Sequence, residues 1–467
     1  MYREIVQPTI SEFDHSIDEN QARRGRSIVF MLCFVPIFAT LLFGGVDSWA
    51  IGIFGLFSSL ILVFWLYDAW RYGEFQFSTN FLQVPMIGLL AIGCVQLLPV
   101  GGDPVANNVL SVGTTQAISL DPYGTRMFLI RFVGYVVFFA AALTFINSVG
   151  RIKKVVATLI IFGSAMAFFA ILQRLANVEN IYGLRPTPQA IPFGSFVNQH
   201  HFAALMQLLS GVTLGLLFGG PFGKDKKLLL AMAVAVMGGA AAFTGSRGGL
   251  ISFAAMVAFV ACTIFFSRNS GAEKTDDRRR RGLTAAMAGI GVFAIVGVVA
   301  VLVGAGEGLV RGVGLGGGLE ADITNGRRHF WSIALQIFRD HPLIGAGLEA
   351  FGVAFSRYDT WNGMFRVEQA HNDYLQMLAD AGLLGFACVA AFVFLLIREG
   401  ASVLRRVQDR FGRSVAVGAL AGCAGVLVHS FFDFPLRTPA NAYFFLLLIA
   451  LVVAVGRVHW RHRSNAR

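Results

Sequence analysis

The groups in this chain able to do chemistry are a few arginines, histidines and carboxylates set in short polar segments. Arg247 sits in Thr244-Gly245-Ser246-Arg247-Gly248-Gly249, a tight turn between two apolar runs. The glycines let backbone and guanidinium approach a ligand closely; the plainer reading is an interfacial arginine that snorkels to head groups. Arg327 and Arg328 open a run to Asp340 with helical apolar spacing, closed by the stop signals Pro342 and Gly345. Arginine at a helix start suits phosphate, because its planar fork binds two oxygens and the first backbone N–H groups point at the anion. The alternative is a solvated helix end.

His371 lies in Gln369-Ala370-His371-Asn372-Asp373-Tyr374-Leu375, where a long polar segment returns to an apolar run. Imidazole exchanges a proton near neutral pH, so His371 is a candidate general base, with Asn372, Asp373 or Glu368 placed to orient it. Its alternative is an interfacial residue at a span end. Asn198-Gln199-His200-His201 precedes another apolar run. Adjacent histidines do not share a helix face, so sugar or head-group contact is a better reading than a metal pair. His429, Ser430, Asp433 and Arg437 form a further cluster, in which Asp433 and Arg437 either pair with each other or serve a site. Arg131, inside an apolar run, either snorkels or faces an internal cavity.

The elements that must position these groups are membrane helices. Of 467 residues, 55% are hydrophobic and 14% charged, with mean hydropathy +0.65. A soluble chain carries roughly 25% charged residues, so the surplus apolar surface must face lipid. About twelve spans are predicted, near 28–46, 49–68, 82–100, 127–147, 154–174, 201–220, 227–244, 248–267, 283–304, 374–397, 414–431 and 440–456. With a cytoplasmic N-terminus, every strongly basic short loop falls on one side: Arg151 to Lys154, Lys224 to Lys227, Arg278 to Arg281, Arg405 to Arg413, and the tail from Arg457. The net charge of +11 is thus orientation in a membrane, and nucleic acid is not the partner, since no basic stripe interleaves with aromatics on a soluble domain. The five cysteines all fall in predicted spans without a CxxC pair and read as packing residues.

The expected architecture is an all-α polytopic membrane protein with one large periplasmic loop containing an amphipathic helix. Residues 1–27 form a cytoplasmic N-terminal segment, 28–304 the first nine transmembrane helices and 305–373 the periplasmic loop. Residues 374–456 hold the last three helices and 457–467 a basic cytoplasmic tail. The loop opens with Gly312 to Gly318, a flexible linker. Its helix over 327–340 is expected at the membrane interface or capping a cavity. All the candidate groups named above share the outer side.

Gly326-Arg327-x-x-x-Trp331, then Asp340-His341-Pro342-Leu343-Ile344-Gly345-Ala346-Gly347, His371-Asn372-Asp373-Tyr374-Leu375-Gln376 and Gly382-Leu383-Leu384-Gly385 follow one another along the chain. This order resembles the O-antigen ligase family of membrane glycosyltransferases, which includes related polymerases. The Ser246-Arg247-Gly248 turn, the Asn198 segment and the stretch from His429 to Asn441 are similar to family features too. The resemblance covers roughly 190–440. It implies transfer of a glycan from undecaprenyl diphosphate to an acceptor hydroxyl in the periplasm, inverting and without metal or other cofactor. Carried onto this chain, it implies that Arg247 and Arg327, or the neighbouring Arg328, hold the diphosphate. His371 then acts as general base on the acceptor hydroxyl or positions it, and Asn198, His201, Asn372 and Asp433 position glycan or acceptor. The implied protein sits in the bacterial inner membrane with both termini cytoplasmic.

The leading expectation is ligation of O-antigen to a lipid A-core acceptor, with an O-antigen or exopolysaccharide polymerase as the alternative. A transporter is the reading from another class; it calls for polar or broken helices at mid-membrane depth and a path to both faces. A non-catalytic membrane scaffold is the third.

Overall fold

Apolar runs of this length fold as helices because a backbone shielded from water must satisfy its own hydrogen bonds. The computed structural model describes residues 24–102, 115–177, 180–188, 190–268, 326–360 and 367–464. In chain order the helices are α1 (Arg26–Leu41), α2 (Ser48–Tyr72), α3 (Gln83–Gln96), α4 (Pro122–Phe145), α5 (Val149–Leu175), α6 (Gln199–Gly219), α7 (Lys224–Phe243) and α8 (Arg247–Arg268). They continue with α9 (Arg327–Asp340), α10 (Phe351–Tyr358), α11 (Asp373–Arg406), α12 (Arg410–His429) and α13 (Pro439–Ser464). One short antiparallel pair, β1 (Pro99–Gly102) and β2 (Thr115–Ala117), interrupts them.

The chain is an all-α polytopic membrane protein, but the count differs from twelve spans. Among the described residues, nine helices are long and apolar enough to cross a membrane, and α1 and α3 are shorter apolar helices. The expected span at 283–304 and the glycine run at 312–318 lie outside the described residues. The runs at 28–46 and 82–100 are shorter as helices for local reasons. After α1 the chain tightens into a 3₁₀ turn at Phe43–Gly45, with Gly44 at φ +78°. After α3 it enters β1 at Pro99, and proline cannot donate to continue a helical ladder.

The inner helices are α6, α12 and α13. Gly211 and Gly215 of α6 face Gly418 and Gly422 of α12 so closely that a β-carbon on Gly211 would lie 2.6 Å from the Gly418 carbonyl oxygen. Small residues at four-residue spacing let two backbones meet, a common device in lipid. Leu56, Leu66, Ile161, Leu229 and Phe394 point outward from the surrounding helices, as lipid-facing side chains do.

Helix α9 covers the residues expected of it. Its face with Ile333, Ala334 and Ile337 is buried against Phe351, Ala354 and Phe355 of α10 and Ala379 of α11. It therefore caps the end of the bundle. The Tyr358 hydroxyl donates to Asp340 Oδ2 at 2.6 Å and ties α10 to the end of α9.

Helix α11 runs well past the expected 374–397 and breaks at Gly382, with φ +62° and ψ −162°. The break frees backbone groups that Pro342–Gly347 takes up. Ala346 N–H donates to Ala379 O at 2.8 Å and Gly347 N–H to Asp380 O at 3.0 Å, while Leu383 N–H donates to Pro342 O at 2.8 Å. Gln96, at the end of α3, completes the joint. Its amide donates to Ile344 O at 2.5 Å and Asp380 O at 2.9 Å, and its oxygen accepts from Leu348 N–H at 2.9 Å.

Candidate active site

Five helix ends meet beneath α9: the starts of α6, α8, α11 and α13, and the end of α12. His371 stands just before α11 with φ +51°, a left-handed conformation that a side chain bearing Cβ adopts only when its surroundings hold it. The flanking Ala370 is pinned on both sides. Its N–H donates to Gln376 Oε1 at 2.8 Å, and its carbonyl accepts from Trp331 Nε1 at 3.1 Å. The imidazole is stacked on Phe330 at 6.2 Å between ring centres and meets Phe434 edge-on at 5.0 Å.

His371 Nδ1 stands 3.3 Å from Asp433 Oδ1; Asp433 is 1% exposed and His371 30%. The same carboxylate has His201 Nε2 at 3.8 Å and Arg327 Nη2 at 3.7 Å. Its Oδ1 also accepts from the Phe434 N–H at 2.9 Å. Burial alone would push the Asp433 carboxyl up, but the facing imidazoles of His201 and His371, with His200 behind them, outweigh it and hold it well below the usual carboxylate range. Asp433 is therefore a fixed negative charge to which three cationic or protonatable side chains turn.

The neighbours expected to orient His371 do other work. Asn372 caps α11, accepting from Tyr374 N–H at 3.0 Å and Leu375 N–H at 3.1 Å. Asp373 accepts from the Ser430 hydroxyl at 2.9 Å, and Glu368 is exposed. Asp433, distant in the chain, faces the ring instead. Asn198 likewise caps α6, accepting from His200 N–H at 2.8 Å. His201 shares Nδ1 with the Thr438 hydroxyl at 2.7 Å.

Arg437 does not pair with Asp433. The 3₁₀ turn Pro435–Arg437 carries it to α11, where Nη2 donates to Asp380 Oδ2 at 2.8 Å and Nε lies 3.6 Å from Asp373 Oδ1. Its Nη1 is 3.5 Å from Glu349 Oε1, and Arg131 bonds the other oxygen of Glu349. Arg131 thus faces inward. Burial opposes the Glu349 charge, but Arg131 and Arg437 overcome it and hold that carboxyl low. Glu349 and Gln96 went unnoticed in the sequence; a glutamine within an apolar run was the available signal.

Arg327 and Arg328 separate cleanly. Arg327 faces Asp433, whereas Arg328 is exposed. Seven residues are nearly two helical turns, so Arg327 shares a face with buried Ala334, and Arg328 with exposed Leu335. That spacing is visible in the sequence.

Arg247 opens α8 and is half-buried. Ser246 beside it shares a hydrogen bond with His200 Nδ1 at 2.8 Å. Gln207 donates to Gly249 O at 2.8 Å, and its oxygen lies 3.3 Å from His429 Nδ1. The Arg247 turn is thereby fixed against the histidine cluster. Together these groups place an imidazole against a buried carboxylate with the Arg327 guanidinium alongside, an arrangement able to do acid–base chemistry next to an anion.

The segment from within α7 to within α11, with all of α8, α9 and α10, also resembles a known family. Residues 232–390 match the O-antigen ligase family. Arg247, Arg327 and His371 lie inside the O-antigen ligase match, while His201 and Asp433 lie outside it. The match supports ligase- or polymerase-type activity of a membrane-bound, glycosyltransferase-like enzyme. A search of curated proteins returned no match.

Proposed function

We propose that the chain transfers a glycan from undecaprenyl diphosphate to an acceptor hydroxyl on the outer face of the bacterial inner membrane, ligating O-antigen to lipid A-core. Both termini are then cytoplasmic, and residues 305–373 form a periplasmic loop over the site. The acceptor oxygen attacks the anomeric carbon as the bond to the diphosphate breaks, inverting the centre. The acceptor proton passes to His371, and the leaving diphosphate keeps the electron pair. Asp433 holds the imidazole in orientation, as a buried carboxylate does behind a histidine base. Arg247 and Arg327 take up the charge that grows on the diphosphate, so the reaction needs no metal. His201 and the capping residues Asn198 and Asn372 position the groups that meet glycan and acceptor.

The observation that carries this reading is the convergence of His371 and Arg327 on one buried carboxylate, at 3.3 and 3.7 Å, in a chain with an O-antigen ligase segment. Polymerisation onto another lipid-linked glycan uses the same leaving group and is the second reading. The test supplies purified protein with undecaprenyl-diphosphate-linked glycan, lipid A-core and a rival lipid-linked glycan, with and without chelator. Transfer to lipid A-core that survives chelation and is lost in His371→Ala is expected. Elongation of the rival glycan instead selects the polymerase. Normal transfer by an Arg247→Ala, His371→Ala double variant overturns the site, and chelator-sensitive transfer overturns the metal-free step.

A further inference from the structure

A large recess lies at the far end of the bundle from His371. Helix α11 starts beside the site at Asp373 and ends at Arg406, and α13 starts at Pro439 and passes Arg457. Between those far ends, the end of α4 and the loop after α2 is a cavity of about 1280 Å³. Arg24, Arg151, Arg398, Arg405, Arg406 and Arg457 line it, against the acids Glu74 and Glu399. Six positive and two negative side chains leave its wall at +4.

The wall is built rather than incidental. Arg151 Nη1 donates to Phe145 O at 2.8 Å and Asn147 Oδ1 at 2.9 Å. Arg457 donates to Leu143 O at 2.6 Å and Ser78 Oγ at 2.8 Å. Arg24 is held by Asp68 at 3.1 Å and Glu74 at 2.9 Å. Arg398, Arg405 and Arg406 are exposed on α11. Basic residues at this end are what orientation in a membrane requires. Orientation does not require that they line one cavity, nor that aromatics share it.

Three phenylalanines do share it. Phe75, Phe77 and Phe81 line the same recess and are 58%, 53% and 71% exposed. They sit on the loop that follows the end of the span α2. There Phe75 and Phe77 stack on Trp65 at 5.6 and 6.1 Å and still leave ring surface exposed. Aromatic rings at span ends are placed to meet both head groups and acyl chains. A soluble anion has no use for exposed phenylalanines; a lipid presents a phosphate and a hydrocarbon chain together.

We infer that this recess binds an anionic glycerophospholipid, its phosphate among the α11 arginines and its acyl chains over Phe75, Phe77 and Phe81. The site is separate from the transfer chemistry and does not depend on it. Arginine binds phosphate oxygens in pairs, and such attraction weakens as salt screens it.

Protein in a mild neutral detergent tests this by thermal unfolding and native mass spectrometry with added phosphatidylglycerol, phosphatidylcholine or inorganic phosphate. Phosphatidylglycerol is expected to bind and to raise the unfolding temperature by several degrees, and phosphatidylcholine and phosphate are not. The Arg398→Gln, Arg405→Gln, Arg406→Gln variant is expected to bind phosphatidylglycerol at least about tenfold more weakly, with an unchanged unfolding temperature in detergent alone. Phe75→Ser with Phe77→Ser weakens it too. If either variant fails to fold, loss of wild-type phosphatidylglycerol binding between low and high salt serves in its place. Equal binding of phosphatidylcholine, a response to inorganic phosphate alone, or salt-independent binding overturns the proposal.

Discussion

A β-carbon on Gly382 would lie 2.7 Å from the amide nitrogen of Gly345, and 2.5 Å from the carbonyl carbon of Leu343. Both glycines have positive φ, +62° and +73°. The broken helix and the segment that fills it therefore fit only while both positions lack side chains. Gly382→Ala and Gly345→Ala each combine a left-handed alanine with a backbone clash, and each is expected to cost about 2 kcal/mol or more. Denaturation in detergent reads this directly; an unchanged midpoint for Gly382→Ala would contradict the packing described.

Arg437 is the shared cation of Asp380, Asp373 and Glu349. Removing one partner of a buried ion pair leaves an uncompensated charge, typically a loss of about 3–5 kcal/mol. Arg437→Met is expected to show a loss of that order. Adding Asp380→Leu to Arg437→Met should restore part of it, because a buried carboxylate disappears with the arginine. A double variant less stable than the single one would show that Arg437 is not the partner on which Asp380 depends.

If Asp433 acts through His371, the two substitutions are not additive. His371→Ala is expected to lower glycan transfer about 10²–10⁴-fold, and Asp433→Asn by less. The double variant should be no slower than His371→Ala alone. Multiplying losses would mean that Asp433 acts independently of the imidazole.

The electrostatics of Asp433 give its acid dependence a definite sign. Its carboxyl is held below the ordinary range in the fold. Its contribution to stability is complete above the unfolded value, about pH 4, and is lost as pH falls through the folded one. The advantage of wild type over Asp433→Asn in unfolding temperature is therefore expected to be full at pH 6 and to shrink toward pH 3. An advantage that grows on acidification would reverse the assignment. Asp433 stays ionised from pH 5 to 8, so an inflection of transfer rate in that window arises from another group.

The two neighbouring arginines are expected to differ. Arg327→Ala should reduce transfer about 10²–10³-fold, the loss typical of a donor facing developing charge, whereas exposed Arg328→Ala should stay within a few-fold of wild type. Equal losses would mean that α9 turns relative to the bundle during the reaction.

The sequence by itself determined what is local. Hydropathy marked the apolar helices, and a 3.6-residue period with its stop signals marked α9 from Arg327 to Asp340. Residue chemistry picked out Arg247, Arg327, His371 and Asp433, because polar groups at span ends are few and costly. Tertiary structure decided which of them meet. That Asp433 faces His371 rather than Arg437, that Arg437 turns to Asp380, and that α11 breaks where Pro342 to Gly347 can enter are all contacts between residues far apart in the chain. Such contacts are set by how helices rotate and pack, through Gly211 against Gly418 and Gly345 against Gly382, and a periodicity that extends only a few residues carries no record of them.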